Sequence, residues 1–366
     1  MKRELLLAPN HGEDGGIYHV ISRVVWREFI LGDEEREYFK GLIRRYAAFC
    51  GIEVLSYCIM SNHFHLLIKV PAKPSEQLQD EVFLKRLSLV YSKATVREVR
   101  EQIEQIRAGA ADGQYVGPEG TEAWVNQIKE MYTRRMWDMS AFMKMLKQQM
   151  TAWYNKRTGR RGTMWEGRFK SVLVEPGFAT RVTAAYIDLN PVRAGMVQDP
   201  KDYRWCSYGE AVAGDKVARR GLLAVMQSRE QGTKKRTFNQ IKALEQYRVL
   251  LAEEGIESGY EEGDLPQLGQ SQVSMKKRAK GFSADKVQSI VRKGGQLSWS
   301  QLLRCRTRYF SDGVAIGGKE FVDRFFDGLK ERTGLYEKRS SGARKMRVTG
   351  NPLHSLRDLK VDVFGK

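Results

Sequence analysis

The stretch Met60-Ser61-Asn62-His63-Phe64-His65-Leu66-Leu67-Ile68-Lys69-Val70 decides how the chain is read. From His63 onward it has the apolar, β-branched character of a strand, whose side chains alternate with a period of two. Phe64, Leu66, Ile68 and Val70 therefore share one face, a continuous core face, and His63, His65, Leu67 and Lys69 share the other. Only five histidines occur in 366 residues. Chance gives roughly 0.07 histidine pairs at i,i+2 in such a composition. Two imidazoles on one side of a strand can converge on a divalent metal, provided a neighbour holds the second nitrogen of each ring. On spacing alone the other reading stays open, two incidental histidines on a half-exposed strand.

Outward from this strand, Ile52 to Met60 is a second apolar run, and the short polar pair Ser61-Asn62 joins the two as a hairpin. Ile17 to Arg23 reads as an earlier strand. Between them Asp33 is a plausible helix N-cap, Glu34 and Glu35 suit the first turn, and Phe39, Leu42, Ile43, Tyr46 and Cys50 recur at helical spacing up to Gly51. Strand, helix, strand, strand opens a ferredoxin-like βαββαβ unit, so the fold class is α+β. Residues 72–137 are polar and interrupted between Ala108 and Gly120, which predicts a helical insertion. Asp138 to Trp153 has helical spacing, Ser171 to Glu175 reads as a strand, and a further helix starts at about Thr180.

From about residue 211 the texture changes. Periodicity weakens and basic clusters appear at Lys234-Lys235-Arg236, Lys276-Lys277-Arg278 and Arg344-Lys345-Met346-Arg347. A boundary near 210 is expected, separating one unit over 12–210 from a basic, mainly helical accessory region over 211–366. In that region Gly313, Gly317 and Gly318 mark turns, and Phe321, Val322, Phe325 and Phe326 face a core from a short helix.

The chain carries 62 Lys+Arg against 44 Asp+Glu, a formal charge of +18. Such an excess points to a polyanionic partner, most commonly nucleic acid. No apolar run approaches the roughly 20 residues of a membrane-spanning helix, and Leu5 to Leu7 is too short for a signal-peptide core. Four scattered cysteines make neither a zinc ribbon nor a disulfide framework. A cytoplasmic protein is expected, with no membrane partner and no nucleotide cofactor.

A second constellation lies in Thr180 to Val197. Tyr186 and Asn190, four apart, stack on one helix face, and Pro191 disturbs the geometry of the residue before it. A phenol and an amide oxygen there would suit a nucleophile and a metal ligand. An ordinary helix residue followed by a helix stop explains the same letters.

Taken in order, the pieces resemble the REP-associated tyrosine transposases, a branch of the single-tyrosine HUH transposases and nucleases. They are Tyr18-His19-Val20 with Arg23, Met60-Ser61-Asn62-His63-Phe64-His65, Gly162-Thr163-Met164-Trp165-Glu166-Gly167-Arg168-Phe169, Tyr186-Ile187-Asp188-Leu189-Asn190-Pro191-Val192-Arg193-Ala194-Gly195 and Trp205-Cys206-Ser207-Tyr208. The resemblance spans roughly residues 12–210. It implies His63 and His65 as metal ligands, Asn190 as the third ligand, Tyr186 as the nucleophile, and one Mg²⁺ or Mn²⁺ as cofactor. The implied activity is a single-strand DNA endonuclease and strand transferase working through a 5′-phosphotyrosine on hairpin-forming palindromic DNA. Arg23, Lys156, Arg157, Arg160, Arg161 and Arg168 become candidate phosphate contacts, with salt bridging as the competing use. Trp165 becomes a candidate base-stacking residue, with core packing as the competing use. His19 reads as structural or hydrogen-bonding. The insertion after Pro71 departs from compact members, and relatives include both monomers and homodimers. From a different class, a non-catalytic DNA- or RNA-binding regulator retaining the fold is the second reading.

Overall fold

The strand Gly16–Arg23 (β1) is the axis on which the molecule assembles, since both of its faces are buried along almost its whole length. The computed structural model describes residues 15–111, 120–229, 239–252, 310–311, 313–334, 340–345 and 353–356. After β1 the chain forms α1 (Asp33–Cys50), β2 (Glu53–Ile59) and β3 (His63–Val70). The insertion follows as α2 (Asp80–Leu87), α3 (Lys93–Ala111) and α4 (Thr121–Thr133), and then α5 (Met139–Thr158) and β4 (Lys170–Val174). The four strands lie in the order β2-β3-β1-β4, with every neighbouring pair antiparallel. That is the ferredoxin-like arrangement expected from the strand-helix-strand-strand opening.

Local chemistry accounts for the element ends. Helix α1 starts one residue earlier than a cap at Asp33 requires, because Gly32 is the cap and Asp33 joins Glu34 and Glu35 in the first turn, where the helix dipole favours carboxylates. Gly51 closes it in the left-handed conformation. Asp138 caps α5, accepting hydrogen bonds from the backbone of Ser140 and Ala141.

Each face of the sheet supports its own core. On one side Tyr18, Val20, Phe64, Leu66 and Ile68 pack with α1, α5 and the insertion residues Phe83, Leu87, Val99 and Val125. On the other Ile17, Leu67, Val172 and Val174 meet α6 (Phe178–Asp188), α8 (Ser207–Val212), α9 (Lys216–Gln227) and α10 (Gln240–Ala252). The face of β3 that carries the histidines is thus covered at His65 and Leu67, with His63 and Lys69 half-buried at its ends. The outer edge of β2 is closed by the segment after α7 (Asn190–Arg193): Ile59 donates to the Trp205 carbonyl at 2.9 Å, and the Tyr203 hydroxyl donates to the Ile59 carbonyl at 2.7 Å.

Sheet and core both cross the boundary expected near 210. β5 (Ala315–Gly317) pairs with β4 in parallel, and β7 (His354–Leu356) and β6 (Ala343–Lys345) extend the sheet to seven strands, order β2-β3-β1-β4-β5-β7-β6. The phenylalanines of α11 (Lys319–Thr333) lie in the first core, as their spacing predicts. The basic clusters at Lys234–Arg236 and Lys276–Arg278 lie outside the described residues. Among the described residues no helix is long and apolar enough to cross a membrane.

Helix α9 crosses β2 so closely that a Cβ on Gly221 would lie 2.7 Å from the Leu55 carbonyl oxygen and 2.8 Å from that of Val54. Neither backbone oxygen can move without disturbing the strand. Gly221→Ala is therefore expected to cost about 1–3 kcal/mol, read as a lower urea midpoint. Gly41→Ala in α1, where a Cβ meets nothing within 4 Å, is expected to be neutral or stabilising by about 0.5–1 kcal/mol. Equal midpoints for the two variants would contradict this packing.

Candidate active site

The alternation of β1 and β3 puts His19 and His65 on the same face, one strand apart, where α6 covers them. His19 is fully buried and His65 is 4% exposed. The His65 Nδ1 lies 2.9 Å from the His19 Nε2, and the His19 Nδ1 lies 2.7 Å from the backbone carbonyl oxygen of Phe310. A carbonyl only accepts, so the proton between His19 and Phe310 sits on His19 Nδ1. His19 Nε2 is then an acceptor, and His65 must donate from Nδ1. The His65 proton is thus confined to Nδ1, and its Nε2 carries a lone pair.

His63 reaches the same tautomer by another path. Its Nδ1 lies 2.7 Å from the Asn62 side-chain oxygen, and the Asn62 amide nitrogen donates to the Arg27 carbonyl at 3.0 Å. Because that carbonyl fixes the orientation of the amide, His63 donates to it from Nδ1 and keeps its lone pair on Nε2. The two rings have centroids 5.1 Å apart. Burial is the main cause holding His19 down at about 4, and burial followed by the neighbouring imidazoles holds His65 well below the ordinary histidine range. His19 and His65 are therefore neutral at pH 7, and a neutral ring is what metal ligation by His65 would require.

Tyr186 comes to this face from α6. Its ring centroid lies 6.2 Å from that of His65 and 6.1 Å from that of His19. Phe310 stacks on it at 4.4 Å, and the Arg193 guanidinium lies 4.0 Å from its centroid while donating to the Tyr186 carbonyl at 2.6 Å. The phenol is 5% exposed and tightly held. The helix breaks at Leu189, and Pro191 sits in the first turn of the short α7, where its missing N–H is harmless. The distortion expected before Pro191 is therefore a restart. Asn190 stays one turn from Tyr186, and its amide nitrogen donates to the Ile187 carbonyl at 3.0 Å, which turns its oxygen away from the helix. Two imidazoles and the Asn190 amide are the candidate donors here, residue types compatible with a divalent cation, although among the described residues no three His, Cys, Asp or Glu side chains cluster as a metal site.

Asp188 anchors this helix from below. Fully buried, its carboxylate accepts from the Tyr247 hydroxyl at 2.6 Å and the Tyr208 backbone at 3.1 Å, and burial pushes its pKa up to about 7. Nothing in the sequence marks Phe310 as part of the site, since its partners are remote in the chain, and Asp188 and Arg193, though inside the quoted Tyr186 to Gly195 stretch, carry no periodic signal of these roles.

The candidate DNA contacts divide. Arg23 is exposed and pairs in register with His63 at the strand ends, and Lys156, Arg161 and Arg168 are exposed on or near α5. Arg157 forms ion pairs with Glu34 at 2.6 Å and with Glu35, and Arg160 pairs with Glu28 at 3.0 Å. Trp165 is 5% exposed, packed against Phe39 and Phe64, with its indole N–H donating to the Lys147 carbonyl at 3.1 Å. Its burial gives it a core role in place of base stacking.

This geometry can be set against known proteins. Residues 14–110 match the family model described as IS200-like transposase. That match lies within residues 12–210, over which the motifs resemble the single-tyrosine transposases, and agrees with that resemblance. The matched segment contains His19, His63 and His65 and ends before Tyr186 and Asn190. A solved structure described as a REP-associated tyrosine transposase bound to a REP hairpin is similar over 62% of this chain and 91% of its own, with 13% identity and a TM-score of 0.34. No curated protein matches.

The raised pKa of Asp188 gives a signed expectation. An unfolded aspartate loses its proton near 3.9, whereas the folded one holds it to about 7. Unfolding therefore releases a proton in that window, and this group makes stability fall as pH rises through it. Asp188→Asn removes the contribution, so the variant gains on the wild type by up to about 1.4 kcal/mol per pH unit between pH 4 and 7. Urea unfolding at pH 5, 6 and 7 measures this, and parallel pH profiles would refute it.

Proposed function

We propose that this transposase-like protein is a metal-dependent, single-strand DNA endonuclease and strand transferase that works through Tyr186. The observation that carries the reading is the meeting of a phenol from α6 with the imidazole pair of β3 on one covered face of the sheet. Histidines at the expected spacing occur in many strands. A tyrosine held beside them from a distant helix is the feature cleavage needs.

The residues divide the work. His63, His65 and Asn190 would hold the cation, with the Nε2 lone pairs of both rings left free by their Nδ1 hydrogen bonds. When bound, the cation supplies positive charge against the non-bridging phosphate oxygens and orients the scissile group. Tyr186 attacks in line: its phenolic oxygen forms a bond to phosphorus, the P–O3′ bond breaks, and the 3′ oxygen leaves with a proton. One phosphoester replaces another, so a free 3′-hydroxyl can attack the 5′-phosphotyrosine and rejoin a strand. The Phe310 stack and the Arg193 contact restrict the swing of the phenol, a form of pre-organisation. Arg23 and Arg193 provide fixed positive charge beside the phosphate path. The substrate is single-stranded or hairpin-forming palindromic DNA, consistent with the charge of +18.

With a palindromic hairpin oligonucleotide and Mn²⁺, the wild type is expected to give a protein–DNA adduct that survives denaturation. Tyr186→Phe is expected to bind the same oligonucleotide and give none. An adduct of wild-type mobility from the variant would remove Tyr186 from the role. Binding without cleavage by the wild type on every hairpin tested would favour the non-catalytic regulator.

The hydrogen bonds to His65 predict a graded series in metal affinity. His19→Phe removes the acceptor for the His65 Nδ1 proton and is expected to weaken Mn²⁺ binding about 10–100-fold. His19→Gln, whose side-chain oxygen can take the place of Nε2, is expected to recover part of that loss. Mn²⁺ titration followed by electron paramagnetic resonance reads the affinity without turnover. Unchanged affinity in His19→Phe, with His65→Ala abolishing binding, would mean that the His19 contact plays no part in ligation.

A further inference from the structure

Trp26 and Phe29 are the two most exposed large apolar side chains among the described residues, at 82% and 75%. They flank the turn that leads from β1 towards α1. Trp26 sits at φ +57° and ψ +7°, and Arg27 follows at φ +58°. Two successive non-glycine residues in the left-handed region are uncommon, and a bulky aromatic there is an outlier that persists only where its surroundings impose it. A glycine would make the same turn without strain, yet the sequence places an indole there.

The surroundings do impose it. Val24 donates to the Asn62 carbonyl at 2.9 Å, Val25 donates to the Met164 carbonyl at 3.0 Å, and Leu31 donates to the Ser61 carbonyl at 3.0 Å. Within the turn, Arg27 donates back to Val24 at 3.1 Å. The Arg27 carbonyl receives the amide of Asn62, the same side chain that orients His63. The turn is therefore pinned to the β2–β3 connection and to the 164–165 segment while its two large rings stay in water. Its one carboxylate, Glu28, is neutralised by Arg160 at 3.0 Å, and Arg23 and Arg27 are exposed beside it.

We propose that the 25–29 turn is a stacking platform for unpaired DNA bases next to the scissile phosphate. The inference rests on the single-strand reading above and adds to it where the bases go. A rigid, exposed indole with a second ring three residues on and arginines at its side matches what single-stranded nucleic acid offers, flat π faces linked by phosphates. Rigidity lowers the ordering cost of binding. Trp165, buried in the core, leaves this task to Trp26 and Phe29.

The test uses the full chain and fluorescein-labelled oligo(dT), alone and annealed to oligo(dA), by fluorescence anisotropy over a range of salt. The double variant Trp26→Ala/Phe29→Ala is expected to bind oligo(dT) about tenfold or more weakly. Its thermal midpoint and the slope of log affinity against log salt should be unchanged, because no phosphate contact is lost. Trp26→Phe, which keeps a ring, should recover most of the affinity. Wild-type affinity in the double variant would overturn the platform, and if that variant still forms the Tyr186 adduct the single-strand reading survives. A loss of self-association, with oligo(dT) affinity intact, would identify the patch as a contact between copies and also overturn it. A wild type that binds no oligo(dT) would sink both ideas.

Discussion

The buried hydrogen bonds from the Phe310 carbonyl through His19 to His65 are the constraint on which the site depends. An imidazole in a dry interior is acceptable only when neutral and with its N–H satisfied. Here one backbone oxygen satisfies both requirements in series, fixing first the His19 proton and then the His65 proton. The same contact makes the far end of the chain part of the catalytic centre. Phe310 supplies the acceptor with its backbone and a stacking surface for Tyr186 with its ring. β5 follows a few residues later and locks the segment to β4. The region beyond 210 therefore contributes an acceptor and a wall to the face that holds His19 and Tyr186.

Helix α6 is the other half of the geometry. Three consecutive functional demands fall on one turn and its restart: Tyr186 must face the imidazoles, Asp188 must reach the far core, and Asn190 must return to the site. A continuous helix meets the first and last by its four-residue spacing and sends Asp188 to the opposite side. There the Tyr247 hydroxyl and the Tyr208 N–H meet the carboxylate, so α6 cannot rotate without stripping a buried carboxylate of its donors. The cost is the depressed acidity of that group, an instability that builds as pH rises from about 4 to about 7 and is fully present above neutral pH. A buried acid held by α8 and α10 is in this sense the anchor of the nucleophile's helix.

Much of this is legible in the sequence because it is periodic. The two-residue alternation of His63 to Val70 gives strand, face and histidine pair together, and the run from Phe39 to Cys50 gives α1 to within a residue. The four-residue step from Tyr186 to Asn190 also survives, despite the break at Leu189. What periodicity cannot convey is pairing between distant segments. Leu67 looks like a polar-face neighbour of the histidines until α6 and α9 cover it. The three-residue strands β5, β6 and β7 are too short to signal themselves against the charged texture around them. Trp165 reads as well for stacking as for packing, and its place is settled only by Phe39 and Phe64 arriving from elsewhere. Trp26 carries no pattern at all, since its interest lies in its backbone angle.

The electrostatics of the donor set have a further consequence. His63, His65 and Asn190 bring no formal negative charge, and the nearest charged groups acting on His65 are Arg193 and Arg23. A divalent cation alone in such a site faces like charge across a medium of low dielectric, which opposes its binding. A DNA phosphate changes the balance, because it neutralises both the arginines and the ion. On the proposed reading metal and DNA would bind with positive coupling, and by reciprocity each would raise the affinity of the other by the same factor. A carboxylate ligand in place of Asn190 would hold the ion without DNA and weaken that coupling. With Asn190 as the third ligand, the neutral amide would thus make assembly of the charged centre conditional on the strand to be cut.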